Sequence, residues 1–398
     1  MTLPPRALAT YLAARVLPAF AGMGLTFVCI HALAPEQYAV YSLTLLAAGV
    51  AAGFVGGISG QALLRYSHEL SPAALQRALL AFPLLAAAVV CPIVLAYLAW
   101  RGIANSTALL AAAAIPLLAL VDTRRSLFIA RGAARAVFAL DACRSGLGLL
   151  LAFALLQGWS AQAAAPLLAQ WLALAACLCL VRVPRAADSA DGQRSIDAQY
   201  LGYGLGLAGW LAVVVGMSLA ERAVVADTLG MAASGRYAAQ ADVINAVFSA
   251  AAGALGAAMM PAYLGQSANP DAAALRRLRR LGVVGVLAVA GVCVLLGALL
   301  SAASVGRISQ ALAGDVPTGL LLIAGGAVWA TAGFVQKPLE LRGQTYRLFA
   351  GVVVALLLFL WLGPVLAVHA GAAGVALAKL VAGCAYVAFA VVAAQAPR

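Results

Sequence analysis

Charged side chains are scarce in this sequence. Lysine, arginine, aspartate and glutamate make up 10% of its 398 residues, where a soluble globular domain carries about 25%. With 65% hydrophobic residues and a mean hydropathy of +1.01, the chain has too little polar surface to face water on all sides. That excludes an ordinary soluble domain and implies a chain that crosses the membrane many times. Histidine is limited to His31, His68 and His369, too few and too scattered for a metal site, and no H-E-x-x-H occurs. No G-x-x-x-x-G-K-[ST] occurs either, so no phosphate-binding loop for ATP is present. The seven cysteines stand at positions 29, 91, 143, 177, 179, 293 and 384, with no C-x-x-C among them. Neither a zinc site nor a disulfide framework is indicated, and the thiols read as small packing groups in apolar spans. The expectation is no metal, no bound cofactor and no enzyme.

Acidic residues are scarcer than basic ones. The formal net charge of +12 comes almost wholly from arginine. No basic stripe carries interleaved aromatics, and the arginines sit between apolar spans, so nucleic acid is not an expected partner. Membrane lipids are.

The apolar pattern predicts an all-α polytopic protein of about twelve transmembrane helices. The first six spans cover about 11–33, 40–64, 78–100, 108–130, 136–156 and 163–181. The seventh and eighth flank a turn around Gly230–Gly235 within Tyr200–Tyr263. The last four cover about 281–303, 318–335, 348–368 and 370–393. The first span is too long for a signal-peptide core, although Ala32-Leu33-Ala34 has the look of a cleavage site. The fourth is expected to break near its end, at Asp122, Arg124 and Arg125. Gly53, Gly57 and Gly60 give small-residue spacings that let helix backbones approach closely.

Pro184–Gln199 reads as a linker, carrying Arg185, Asp188, Asp191, Arg194 and Asp197. Asn269–Arg280 reads as a polar loop with Arg276, Arg277, Arg279 and Arg280, anchored by positive charge and able to meet anionic lipid head groups. The domains expected are an N-terminal six-helix bundle over 1–183, the linker 184–199 and a C-terminal six-helix bundle over 200–398. The two halves also look alike. Tyr41–Tyr66 and Tyr237–Tyr263 each open a helix after a turn and close it at a tyrosine. Ala130-Arg131-Gly132, running on to Arg135 and Phe138, matches Leu341-Arg342-Gly343, running on to Arg347 and Phe349. Parallel repeats of this kind place a substrate site between the halves, near the membrane midplane.

Loop charge sets the orientation. With a cytoplasmic N-terminus, the inside loops hold Arg65, Arg77, Arg124, Arg125, Arg131, Arg135, Arg182, Arg185, Arg194, the Arg276–Arg280 cluster, Lys337, Arg342 and Arg347. The outside loops hold only Arg101, Arg236 and Arg307. Both termini are therefore placed in the cytoplasm. The outside loops are short, which argues against a polysaccharide polymerase or ligase.

A few charges fall inside apolar spans, where each costs roughly 2.5–3.5 kcal/mol on insertion scales and is a functional candidate by default. The cations are Arg15, Arg144, Arg222 and Lys379; the anions are Asp141, Glu221 and Asp242. Arg15 is close enough to the start of its span to snorkel to the interface. Asp141 and Arg144 are three residues apart, share a helix face and are expected to neutralise each other.

One set of motifs resembles a known family. Glu221-Arg222 ends a span, Gly235-Arg236-Tyr237 opens the next, Pro261 is expected to end it, and Pro35-Glu36-Gln37-Tyr38-Ala39-Val40-Tyr41 precedes the second span. This is similar to the Wzx-type polysaccharide flippases of the multidrug/oligosaccharidyl-lipid/polysaccharide (MOP) exporter superfamily. There the acidic-Arg pair is usually Asp-Arg, and a glycine usually stands where this chain has Ala39.

The resemblance implies two pseudo-symmetric bundles with a MOP/MATE-like fold. It implies movement of an undecaprenyl-pyrophosphate-linked oligosaccharide from the inner to the outer leaflet by alternating access, for surface polysaccharides such as O-antigen or exopolysaccharide. Arg15, Arg144, Arg222 and Lys379 would then bind the substrate's phosphates. Asp141, Glu221 and Asp242 would pair with them or take a coupling ion, with an ion gradient or the membrane potential as drive. A polysaccharide polymerase and chain-length proteins are further expected partners, and a monomer is expected. The alanine- and arginine-rich composition points to a GC-rich bacterial genome and the bacterial cytoplasmic membrane. The alternatives are a MATE-type cation or drug antiporter, which favours acidic cavity residues, and a membrane enzyme of glycan assembly, which needs a paired acid–base set.

The orientation is testable with reporter fusions. Alkaline phosphatase joined after Arg101 should be active, and joined after Arg194 inactive; the reverse pattern would invert the topology.

Overall fold

The structure, a computed structural model, describes residues 5–181, 195–265, 272–303 and 315–395, and all its regular elements are helices. In the first part, α1 spans Pro5–Ala32, α2 Pro35–Tyr66, α3 Pro72–Trp100, α4 Asn105–Ala130, α5 Ala134–Gly158 and α6 Ala164–Leu180. Then come α7 over Ala198–Leu229, α8 over Met231–Gly265, α9 over Ala272–Ala303 and α10 over Val316–Val335, followed by a helical turn, Lys337–Leu341. The last stretch, Thr345–Gln395, breaks at Ala370–Gly371 into α11 (345–369) and α12 (372–395). Gly371 takes φ +59° there, which side-chain-bearing residues resist. Twelve long helices thus stand among the described residues, as the apolar pattern predicts.

Among the described residues, nine stretches, Thr345–Gln395 included, are long and apolar enough to cross a membrane; Pro18–Ala32 and α6 are shorter apolar helices. The chain is a multi-pass integral membrane protein. Its surface is inverted relative to a soluble fold. Leu85, Val89, Ile93 and Trp100 of α3 and Leu357, Trp361 and Val368 of α11 are exposed, while Asp141, Glu221, Arg222 and Lys379 are buried. Helices suit that setting because each satisfies its own backbone hydrogen bonds away from water.

Two compact units emerge, Val40–Leu219 and Met1–Ala39 with Ala220–Arg398. Each draws on six long helices, but the division differs from the expected one over 1–183 and 200–398. α1 joins the C-terminal helices because it packs along α8. Most of α7 joins the N-terminal ones because glycine lets it lie directly on α2. A Cβ at Gly204 would fall 2.1 Å from the carbonyl oxygen of Ile58, and one at Gly57 would fall 3.0 Å from the Cβ of Ala208. Gly56 and Gly60 do the same for α4, where an added Cβ would lie 3.0 Å from Ala119 and 2.9 Å from Ser126. Gly53, expected to share this role, meets nothing within 4 Å.

Other local expectations are corrected. α4 is unbroken to Ala130, because its charged end finds partners on α5 and α6. The turn between α7 and α8 is Gly230 alone, at φ +88°, so Gly235 lies inside α8. That helix continues through Pro261 to Gly265; a proline inside a membrane helix is tolerated when neighbours absorb the lost bond. Arg276, Arg277, Arg279 and Arg280 occupy the first turns of α9, not a loop, since Leu275, Leu278 and Leu281 keep an apolar stripe at helical spacing. Arg182, the linker residues Arg185, Asp188, Asp191 and Arg194, then Asn269, Arg307 and the side chains of Arg15 and Pro261 lie outside the described residues.

The α2–α7 contact gives a paired test. Gly204→Ala should cost at least the roughly 1–3 kcal/mol of ordinary overpacking, because backbone cannot step aside. Gly202→Ala, which meets nothing within 4 Å, should be neutral or slightly stabilising. Thermal unfolding in detergent reads both, and equal effects would refute the close approach.

Candidate functional site

α7 and α8 form an antiparallel hairpin closed by Gly230. Because α8 runs back along α7, it meets the acidic-Arg pair repeatedly. The Ser234 hydroxyl donates to the Arg222 carbonyl at 3.1 Å. The Tyr237 hydroxyl donates to Oε1 of Glu221. Arg222 Nη2 donates to Oδ1 of Asp242 at 2.9 Å. Arg222 Nη1 lies 3.2 Å from Oε2 of Glu221, and the guanidinium sits over the Tyr237 ring, 5.2 Å from its centroid.

Two further helices complete the cluster. α12 supplies Lys379, whose Nζ donates to Oε2 of Glu221 at 2.7 Å. Lys379, Gly383 and Tyr386 lie at i, i+4 and i+7 on one face; Gly383 packs on Trp329 and the Tyr386 hydroxyl donates to Gln336 at 2.7 Å. α2 supplies Tyr38, whose hydroxyl donates to Oδ2 of Asp242 at 3.0 Å. Its position depends on Gly235, where a Cβ would fall 1.8 Å from the carbonyl oxygen of Pro35. With no side chain there, the start of α2 lies on the α8 backbone, and Tyr38 lands beside Asp242, seven residues on from Gly235.

Arg222 lies seven residues before the end of α7, and Lys379 seven after the start of α12, about 10 Å from their turns at 1.5 Å per residue. The side chains of Glu221 and Arg222 are fully buried, that of Lys379 is 8% exposed and that of Asp242 25%. Two cations face two carboxylates, so the cluster is neutral. Its hydrogen bonding is not balanced, however. All four carboxylate oxygens accept a bond. On the guanidinium, Nε and Nη1 are buried and make no hydrogen bond to another protein group, Nη1 having only its 3.2 Å contact with Glu221. A buried ion network is weak evidence for stability.

Of the seven residues singled out in the sequence, four meet here: Glu221, Arg222, Asp242 and Lys379. Asp141 and Arg144 do not; they lie in the other unit, and their expected mutual pair is replaced by a crossed one. Arg125 Nε donates to both oxygens of Asp141, at 3.0 and 2.9 Å, and Arg144 lies 3.4 Å from Asp122. A guanidinium on a neighbouring helix can meet a carboxylate with both oxygens, which a partner three residues along the same helix does less well. Arg124 donates to the Leu178 and Val181 carbonyls at the end of α6, at 2.8 and 3.3 Å. Arg15 is not placed. The hydroxyls of Tyr38 and Tyr237 are the site groups that the sequence reading missed, although both tyrosines stood in the quoted motifs.

No protein-family profile matches the chain, and no curated protein does. Solved structures do. A MOP superfamily transporter from Pyrococcus furiosus, described as having a binding pocket of reverse polarity that suggests a different function, superposes with a TM-score of 0.69 at 13% identity, over 98% of this chain and 94% of that one. The fold is that of the MOP transporters. A MATE protein in complex with MaL6 gives 0.66 at 14% identity, over 98% and 96%. A multidrug resistance MATE transporter in an inward-facing conformation gives 0.61 at 13%, over 99% and 94%. At this identity the likeness extends to the MOP fold alone.

The ion network predicts a non-additive pair of substitutions. Lys379→Met leaves Glu221 without one of its cations and should destabilise by about 3–5 kcal/mol. Adding Glu221→Gln removes the orphaned charge and should restore much of that loss. Thermal unfolding of the three proteins checks this; additive losses would show that the two side chains act independently.

Proposed function

We propose that this chain is a MOP superfamily flippase of the Wzx type. It would move undecaprenyl-pyrophosphate-linked oligosaccharide units from the inner to the outer leaflet of a bacterial cytoplasmic membrane by alternating access. A pyrophosphate and its sugars must cross about 30 Å of hydrocarbon, while the polyprenyl tail can stay in lipid. The protein therefore has to offer cationic donors to the phosphates at apolar depth. The observation that carries the reading is the asymmetry at Arg222. Its guanidinium is fully buried, with Nε lacking a hydrogen-bond partner among the protein groups and Nη1 meeting only Glu221 at 3.2 Å, whereas every oxygen of the two carboxylates beside it already accepts a bond. Such a site keeps donor capacity for an anion, while each of its carboxylate oxygens already faces a resident donor. The MOP fold, the Glu221-Arg222 and Gly235-Arg236-Tyr237 motifs and the net positive charge support the same reading. The MATE-type antiporter shares the fold, but Glu221 and Asp242 are already held by resident cations, which disfavours a cationic cargo.

The test is a deletion strain of the host organism. Lipid-linked oligosaccharide should accumulate on the cytoplasmic leaflet and be cleared by the wild-type gene, but not by Arg222→Ala. Absence of accumulation, together with lost resistance to a cationic drug, would replace this reading with the antiporter.

A further inference from the structure

We propose that Asp242 is a displaceable latch on an anion site whose binding group is the Arg222 guanidinium, and that the group it stands in for is a phosphate or diphosphate. The proposal rests on the flippase reading above and goes beyond it by naming what fills the site between substrates. Three observations converge. Asp242 holds Arg222 through one hydrogen bond, from Nη2, although a carboxylate can take two from a guanidinium fork. Of the remaining nitrogens, Nε is buried with no hydrogen-bond partner among the protein groups, and Nη1 meets only Oε2 of Glu221, at 3.2 Å and outside hydrogen-bond geometry, so the fork has unused capacity. Among the four charged partners Asp242 is also the most exposed, 25% against 0% for Arg222 and Glu221 and 8% for Lys379. Glu221 stays behind as the fixed counter-charge, held by Tyr237 and Lys379.

A phosphate arriving at this point competes with Asp242 for Nη2 and can engage Nε as well, with more oxygens and more charge. Displacement has a second consequence. Tyr38, in the first turns of α2, donates to the same carboxylate, so the departure of Asp242 releases the hydroxyl tether between α2 and α8. Occupation of the anion site thereby breaks one contact of the α2 start, which also rests on Gly235 through backbone contact.

Calorimetry on the full chain in detergent tests this, with inorganic pyrophosphate and farnesyl diphosphate as probes. Asp242→Asn should bind about tenfold tighter than wild type if the latch is closed roughly nine-tenths of the time. Tyr38→Phe, which only loosens the latch, should tighten binding about two- to threefold, and it decides the matter if Asp242→Asn does not fold. Arg222→Gln should bind neither probe. Unchanged or weaker binding in Asp242→Asn and Tyr38→Phe overturns the latch, and if wild type still binds farnesyl diphosphate the flippase reading survives. Tighter binding of pyrophosphate with no preference for the prenyl form keeps the latch, assigns the site to free phosphate and removes the flippase reading. Tighter binding with a preference for farnesyl diphosphate supports both. No binding by any of the proteins overturns the latch.

Discussion

The Arg222 guanidinium lies between Glu221 and Asp242 with no exposed surface, and the arrangement of the unit formed by Met1–Ala39 and Ala220–Arg398 depends on keeping it there. A cation at that depth is tolerable only with close anions. Those anions come from α7 itself and from α8, and they in turn require Lys379 of α12 and the hydroxyls of Tyr38 and Tyr237. Three geometric permissions make the convergence possible. Gly230 closes the α7–α8 hairpin at positive φ, Gly371 lets the chain reverse into α12, and Gly235 admits the start of α2 against the α8 backbone.

The other unit, Val40–Leu219, shows charge used differently. Arg125–Asp141 and Arg144–Asp122 cross-link α4 and α5 within a few turns of the loop joining them. Arg124 binds the last carbonyls of α6, where a cation also complements the helix dipole. These contacts bind three helices together. Arg222 differs in being fully buried between two carboxylates.

Much of the fold was legible in the sequence because hydropathy and helix length follow from one strong constraint, the cost of unpaired backbone groups in hydrocarbon. Twelve apolar spans became twelve long helices within a few residues. The misjudged features were those in which a polar residue was read by type alone. Asp122, Arg124 and Arg125 suggested a helix end, and the arginines before 281 suggested a loop. Both stretches are helical, because partners on α5 and α6 in one case, and an apolar stripe in the other, satisfy the helix. The membership of the units was equally hidden. α1 joins the C-terminal helices by packing on α8, and linear order does not encode such an exchange.

At the site, the sequence by itself determined which residues were candidates. Glu221, Arg222, Asp242 and Lys379 were identifiable because a charge in an apolar span carries a cost that demands a reason. The tertiary structure alone decided that these four meet while Asp141 and Arg144 do not, since residues 158 positions apart, such as Glu221 and Lys379, are joined only by how helices pack. It also decided the hydrogen-bond balance. Whether a carboxylate is filled or a guanidinium nitrogen is idle depends on distances and angles between helices, and these are set by glycine contacts with backbone from elsewhere in the chain.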